Sequence, residues 1–329
     1  MLLFGKNVLF IAPQFFGYEL DIISGLKDEG AIVDFLPDRP FLSPILRGIT
    51  RIHRDFMIPY CDLFFKRSIP KFGKRNYDYI FIVVGEGVSA NTINDLRSDY
   101  PNANFILYLW DALKNRAGLE KNLSLFDACF TFDPNDAELY GMDFRPLFFS
   151  PGFENATNVK LTYDLSFIGT AHSDRSSIVK AIQNSLGSNV LFYKYLYLQA
   201  PWVFYAHKIF NPSFAESSIS EFRFSSLAKS VVQEVFFSSK AILDIEHPGQ
   251  SGLTMRTFEA LGSNKKMITT NHRIMDYDFY NPSNILVIDR HQHSHDVNDF
   301  LSGIPVAINP EIYNKYTLSG WIRETLMLT

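Results

Sequence analysis

Short, almost purely apolar runs recur along this chain, and between them apolar positions fall three or four residues apart. Residues 7–12, 31–36, 77–84, 105–110 and 128–132 read as strands buried on both faces, the pattern of a parallel sheet. The first two flank a predicted helix carrying Leu20, Ile23 and Leu26 and stopping at Gly30, so the chain starts as a βαβ unit. Pro13–Gln14–Phe15–Phe16–Gly17 makes its first turn. It lacks the G-x-G-x-x-G fingerprint, which speaks against a tight nicotinamide-dinucleotide site and an oxidoreductase reading.

The pattern then pauses. Residues 147–158 hold Pro151, Gly152 and several polar positions, and read as a linker. Residues 165–169 restart it as a strand, followed by a turn over 169–175 and a helix with Ile178, Val179 and Ile182. After a predicted helix over 225–237 come three more strands, at 241–245, 266–270 and 284–289. The expected organisation is α/β with two Rossmann-like domains facing each other across a cleft: residues 1–155, residues 156–305, and C-terminal helices over 306–329 packing back on the first domain.

Composition sharpens this. The 329 residues carry a net charge of −4, which argues against a nucleic-acid partner. Two cysteines, Cys61 and Cys129, form no disulfide framework and fit a reducing, cytoplasmic setting. No run is long enough to span a bilayer, and the first residues are too short for a signal peptide. Phe at 31 and Tyr at 16 exceed what a core of this size needs, an excess that suits surfaces touching sugar or lipid. Residues 193–210 concentrate it, and read as core packing or as a loop covering an acceptor or a lipid. Residues 47–75 carry eight Lys or Arg against two Asp, with Phe56, Phe64, Phe65 and Phe72 interleaved. They read either as a packed helical hairpin with a solvated basic face or as a peripheral contact with an anionic membrane.

Chemistry concentrates in two places. Strand 77–84 ends in Gly85–Glu86–Gly87 and strand 105–110 in Asp111. Carboxylates at the carboxyl ends of parallel strands sit where such sheets bind ligands, so Glu86 and Asp111 are the candidate proton acceptors; Glu86 also reads as a charge at a helix start. Asp133, before Pro134, reads as a helix cap. The second place is the strand–turn–helix–strand unit over 239–271. Its helix, with Met255, Phe258, Ala260 and Leu261 as the apolar stripe up to Gly262, offers unbonded N–H groups and positive partial charge at its start. Arg256 stands one turn in and Glu259 three residues later on the same side.

The run GLTMRTFEALGSNKKMITTN resembles the donor-binding segment of GT-B glycosyltransferases, above all the bacterial ones that build lipopolysaccharide and capsule. The resemblance implies that Arg256 contacts the diphosphate of a nucleotide sugar and Glu259 its ribose. The same family has an F-[IV]-G-[ST] strand end with a nearby D-R, matched at Gly169, Thr170 and Arg175. Gly169 would let phosphates approach the backbone and Arg175 would add charge; the alternative is that Ser173 caps the helix and Arg175 pairs with Asp174. His247, Gly252, Leu253 and Thr254 complete the predicted donor set. The retaining signature of two glutamates eight apart is missing, because Ser251 stands where the first would be.

The expectation is therefore a cytoplasmic, metal-independent glycosyltransferase without a resident cofactor. Its partners would be a nucleotide sugar and a lipid-linked or lipopolysaccharide glycan acceptor. The runner-up is a silent nucleotide-sugar- or glycan-binding subunit of an assembly complex. His291, His293 and His295 alternate in a polar turn and read as a solvated loop rather than a metal site.

Overall fold

The computed structural model describes residues 1–40, 54–116, 118–154, 159–290 and 297–328; the three alternating histidines lie outside them. The chain forms two compact α/β units: Met1–Ser150 with Thr317–Thr329, and Pro151–Tyr316. The expected boundary at residue 155 falls outside the described residues. The crossing back comes at Thr317, not at 306.

The first unit is built on a six-stranded parallel sheet ordered β2-β1-β3-β4-β5-β6. Its strands are β1 (Asn7–Ala12), β2 (Ile32–Pro37), β3 (Tyr79–Val83), β4 (Asn104–Leu109), β5 (Ala128–Thr131) and the short β6 (Asp143–Phe144). Val8 to Ala12 are fully buried, as a strand covered on both faces must be. Among the described residues, four α-helices connect them: α1 (Tyr18–Asp28), α2 (Arg54–Ser68), α3 (Ala90–Asp99) and α4 (Pro134–Tyr140). Asp133 caps α4 as expected, accepting from the Asn135 amide at 2.9 Å.

The buried face of α1 is Glu19, Ile22 and Leu26; of the predicted Leu20, Ile23 and Leu26 only Leu26 belongs to it, and Leu20 is 63% exposed. The helix turns that way because the Leu318–Thr325 helix packs on it so closely that a Cβ at Gly25 would meet Ile322 Cδ1 at 2.7 Å. Trp321 of that helix is fully buried in this unit, 4.7 Å from the Tyr108 ring and 4.8 Å from that of Phe148.

The second unit repeats the plan with strand order β12-β11-β10-β7-β8-β9. The strands are β7 (Tyr163–Thr170), β8 (Phe192–Tyr197), β9 (Phe222–Arg223), β10 (Ser239–Asp244), β11 (Lys266–Thr269) and β12 (Ile285–Val287). Its helices are α5 (Arg175–Ser185), α6 (Pro201–Phe210), α7 (Lys229–Phe237), α8 (Met255–Gly262), α9 (Val297–Ser302) and α10 (Pro310–Lys315). Phe167, Ile182, Phe214, Leu243 and Ile268 form the centre of its core.

In each sheet the winding direction reverses once, beside β1 and β3 in the first and beside β7 and β10 in the second. Such switch points leave a crevice at the carboxyl ends of the strands, where open α/β sheets bind ligands.

Candidate functional site

At the switch point of the second sheet, α8 is hung from the end of β10. Thr254 caps α8, accepting from the Thr257 amide, and its own hydroxyl donates to both oxygens of Asp244 at 3.0 Å. Thr257 Oγ1 donates to the same carboxylate. Asp244 is 2% exposed, and burial pushes its carboxyl above the usual range, with the Thr257 hydroxyl and nearby Arg256 and Arg175 opposing. The Thr254 cap uses the Thr257 amide, which leaves the Met255 and Arg256 amides of the first turn without an acceptor in their own helix.

Arg175 closes the other side. Its Nε donates to Ile245 O at 2.7 Å and its Nη1 to Thr170 O at 3.1 Å, so it ties the loop after β7 to the loop after β10. Burial pulls it down to about 10, which leaves it cationic at neutral pH. The predicted alternative for this turn, a Ser173 cap with an Arg175–Asp174 pair, does not hold. Asp174, not Ser173, is the N-cap of α5, and it makes no side-chain cap bond. Asp174 pairs with Arg290 at 2.7 Å rather than with Arg175. Arg290 also holds the carboxylate and carbonyl of Glu246, while Thr270 donates to Glu246 from β11's end.

Arg256 lies over the Phe236 ring, 5.6 Å from its centroid, and its Nη1 is buried without a hydrogen-bond partner. Glu259 is 5% exposed, on the same helix. Leu253 is buried to 1%, so only its backbone is available to a ligand; the carbonyl of Gly252 accepts from Gln250 at 2.9 Å. A Cβ at Gly169 would stand 3.0 Å from the Phe167 ring and 3.5 Å from Arg175 Nη1, so a larger residue there would press on the Phe167 ring. His247 is exposed, its ring centroid 5.2 Å from that of His172. His172 is driven down to about 3 by burial, with Arg175 and His247 adding to the effect, and is neutral at physiological pH.

The two candidate proton acceptors lie at the corresponding edge of the first sheet, joined by one guanidinium. Arg116 Nη1 is 2.6 Å from Glu86, and its Nη2 is 2.9 Å from Asp111. Glu86 also takes Arg39 at 2.8 Å, and its side chain is 3% exposed; that of Asp111 is 27% exposed. Asp38, at the end of β2, continues the chain of charges through Arg39 at 3.3 Å. Its second oxygen is buried without a partner, and burial raises its pKa. The turn that presents Glu86 is strained: Val84, a β-branched residue, has φ of 63° and Gly85 follows at 69°. At Gly87 a Cβ would fall 2.2 Å from Asp38 O, so only glycine fits.

Sequence reasoning missed Asp38, Arg39, Arg116, Asp244 and Arg290. Two carried a readable signal: Asp38 and Asp244 are carboxylates that follow or end a strand, the rule that found Glu86 and Asp111.

The sequence matches no protein-family model and no curated protein. Solved structures share its fold over nearly the whole length. Anabaena Alr3699/HepE in complex with UDP-glucose superposes with a TM-score of 0.59 at 9% identity, covering 98% of both chains. The lipopolysaccharide outer core galactosyltransferase WaaB gives 0.53 at 11%, covering 98% of this chain and 99% of that one. A UDP-GlcNAc 2-epimerase from Methanocaldococcus jannaschii gives 0.52 at 10%, covering 98% and 100%. At these identities the likeness is one of fold: two Rossmann-like α/β domains.

Proposed function

We propose that this protein is a metal-independent glycosyltransferase that moves a sugar from a nucleotide-sugar donor to a lipid-linked glycan acceptor of lipopolysaccharide or capsule type. One observation carries the reading. The start of α8, beside the switch point, holds the two first-turn amides that the Thr254 cap leaves over and a buried Arg256 nitrogen without a partner, and a cation with a helix dipole favours a diphosphate. The leaving diphosphate gains charge as the glycosidic bond breaks, and these fixed donors would stabilise it. Glu259 would accept from ribose hydroxyls. The backbone of Gly252 to Thr254 lines the phosphate approach in this reading, with Arg175, Thr170 and His247 at its rim. Fold neighbours described as bound to UDP-glucose or as a galactosyltransferase support it.

Of the two rim acids we assign proton abstraction to Asp111, on an inverting path. Glu86 is enclosed by two guanidiniums, whereas Asp111 keeps an exposed edge.

The test is a thermal-shift panel of UDP, GDP, CMP, ADP and dTDP sugars. Binding to the folded state raises its stability by about 2.7 kcal/mol at a hundred times Kd. A hit that disappears in Arg256→Ala is expected; an undiminished shift in that variant rejects the donor site. Because an epimerase shares this fold, products are then identified with an acceptor present. A new glycoside means transfer, an isomerised donor means epimerisation, and neither means a silent binding subunit.

A further inference from the structure

The described part of the basic, aromatic segment resolves into two opposite faces. Along α2 the buried positions are Met57, Cys61, Phe65 and Ser68. The exposed ones are Phe56 at 71%, Tyr60 at 59% and Leu63 at 45%, with Lys66 and Arg67. Phe56, Tyr60, Leu63 and Arg67 recur at the spacing of a single helical stripe. Lys71 and Lys74, just beyond α2, are also exposed, and Lys66, Arg67, Lys71 and Lys74 form no ion pair with the described residues. Two acids with described side chains are otherwise engaged. Asp62 accepts from the Ser89 and Thr92 hydroxyls at 2.6 and 2.8 Å, and Asp34 takes Arg75, which is thereby withdrawn from the basic face.

A large apolar stripe in water beside unneutralised cations is costly on a solitary globule unless something covers it. Its chemistry selects the covering. Aromatic rings suit the headgroup boundary of a bilayer, and clustered cations suit an anionic leaflet. A protein partner would need opposing carboxylates matched to those lysines, whereas anionic lipid supplies mobile charge that adapts to them.

We infer that the exposed face of α2, from Phe56 to Lys74, docks this protein on an anionic phospholipid surface, the aromatic stripe entering the headgroup layer and the four cations meeting lipid phosphates. This deepens the glycosyltransfer reading, since it brings a lipid-borne acceptor to the right element. The other side of α2 is anchored at the ligand edge of the first sheet. A Cβ at Gly87, next to Glu86, would meet Cys61 Sγ at 3.0 Å, and Asp62 holds the start of α3.

The inference is tested by floating the full chain with vesicles of phosphatidylcholine alone and with an equal share of phosphatidylglycerol. Binding is expected only to the anionic vesicles, weakening as salt rises. The K66E/R67E and F56S/Y60S variants should each lose affinity on the order of tenfold. K27E/K121E, equal in charge change but away from α2, should bind as the parent does. Melting temperatures and donor-induced shifts confirm that each variant is folded. Equal binding to neutral vesicles, no binding to anionic ones, or retention by both α2 variants overturns the inference. The donor shift is read separately, so failure here leaves the proposed chemistry standing, and failure there leaves the lipid result standing.

Discussion

Thr254 and Asp244 are ten residues apart in the chain and joined by a hydroxyl that lies 3.0 Å from each carboxylate oxygen. That bond sets where α8 begins, because the same hydroxyl accepts from the Thr257 amide. Thr254→Val removes both the cap and a donor to a buried carboxylate. We expect a loss of about 1–3 kcal/mol in urea unfolding, with weaker donor binding, and a smaller loss for Thr254→Ser. Equal unfolding midpoints for Val and Ser would show that the cap does not fix the helix.

Arg256 should behave in the opposite way. Its Nη1 is buried without a hydrogen-bond partner, the contact with Phe236 is worth about 0.5–1 kcal/mol, and its pull on the Asp244 charge is set against its own burial. Arg256→Ala should therefore change stability by no more than about 1 kcal/mol while weakening the donor at least about tenfold. Lysine should not restore it, because its point charge lacks the planar fork. Calorimetric titration of parent and variants decides this.

Glu86 and Asp111 share Arg116 but should fail differently. Glu86→Gln takes from buried Arg39 and Arg116 the carboxylate they share, leaving Asp38 to the one and partly exposed Asp111 to the other, a structural loss of about 3 kcal/mol. Asp111→Asn, at the more exposed position, should keep its fold and lower turnover about a hundredfold or more. Paired unfolding and steady-state measurements separate the two. A stable but inactive Glu86→Gln would exchange the roles.

His172 makes stability depend on pH in a defined window. Its folded value near 3 lies below the ordinary 6.5, so the unfolded chain binds the extra proton between those limits. Its contribution is present above about 6.5 and is lost as pH falls toward 3, by at most about 1.4 kcal/mol per pH unit for one proton. His172→Gln should flatten that part of the profile.

Much of the fold was legible because its central strands are covered on both faces. β1, β3, β4 and β10 read as unbroken apolar runs, and the acids at strand ends followed from the parallel sheet they imply. β8 did not read as a strand, because Phe-Tyr-Lys-Tyr-Leu-Tyr is half buried and its aromatic surplus suggested surface or core packing equally well. β6 and β9, two residues each, carry no period at all. The guanidiniums were the harder loss. Arg116 meets Glu86 from thirty residues away, and Arg290 meets Asp174 from 116. Both partnerships arise from strand order, which local pattern does not encode. The eight-cation count of 47–75 also overstated the basic face, since Arg75 serves Asp34.

The placement of Trp321 governs the order in which this molecule can be made. Three rings from the first half of the chain, Phe81, Tyr108 and Phe148, wait for an indole that leaves the ribosome some 170 residues after the last of them. The second Rossmann-like unit is fully synthesised before the first can close, so vectorial folding runs backwards here, and a nascent chain stalled at Tyr316 would expose an open aromatic socket to chaperones and proteases.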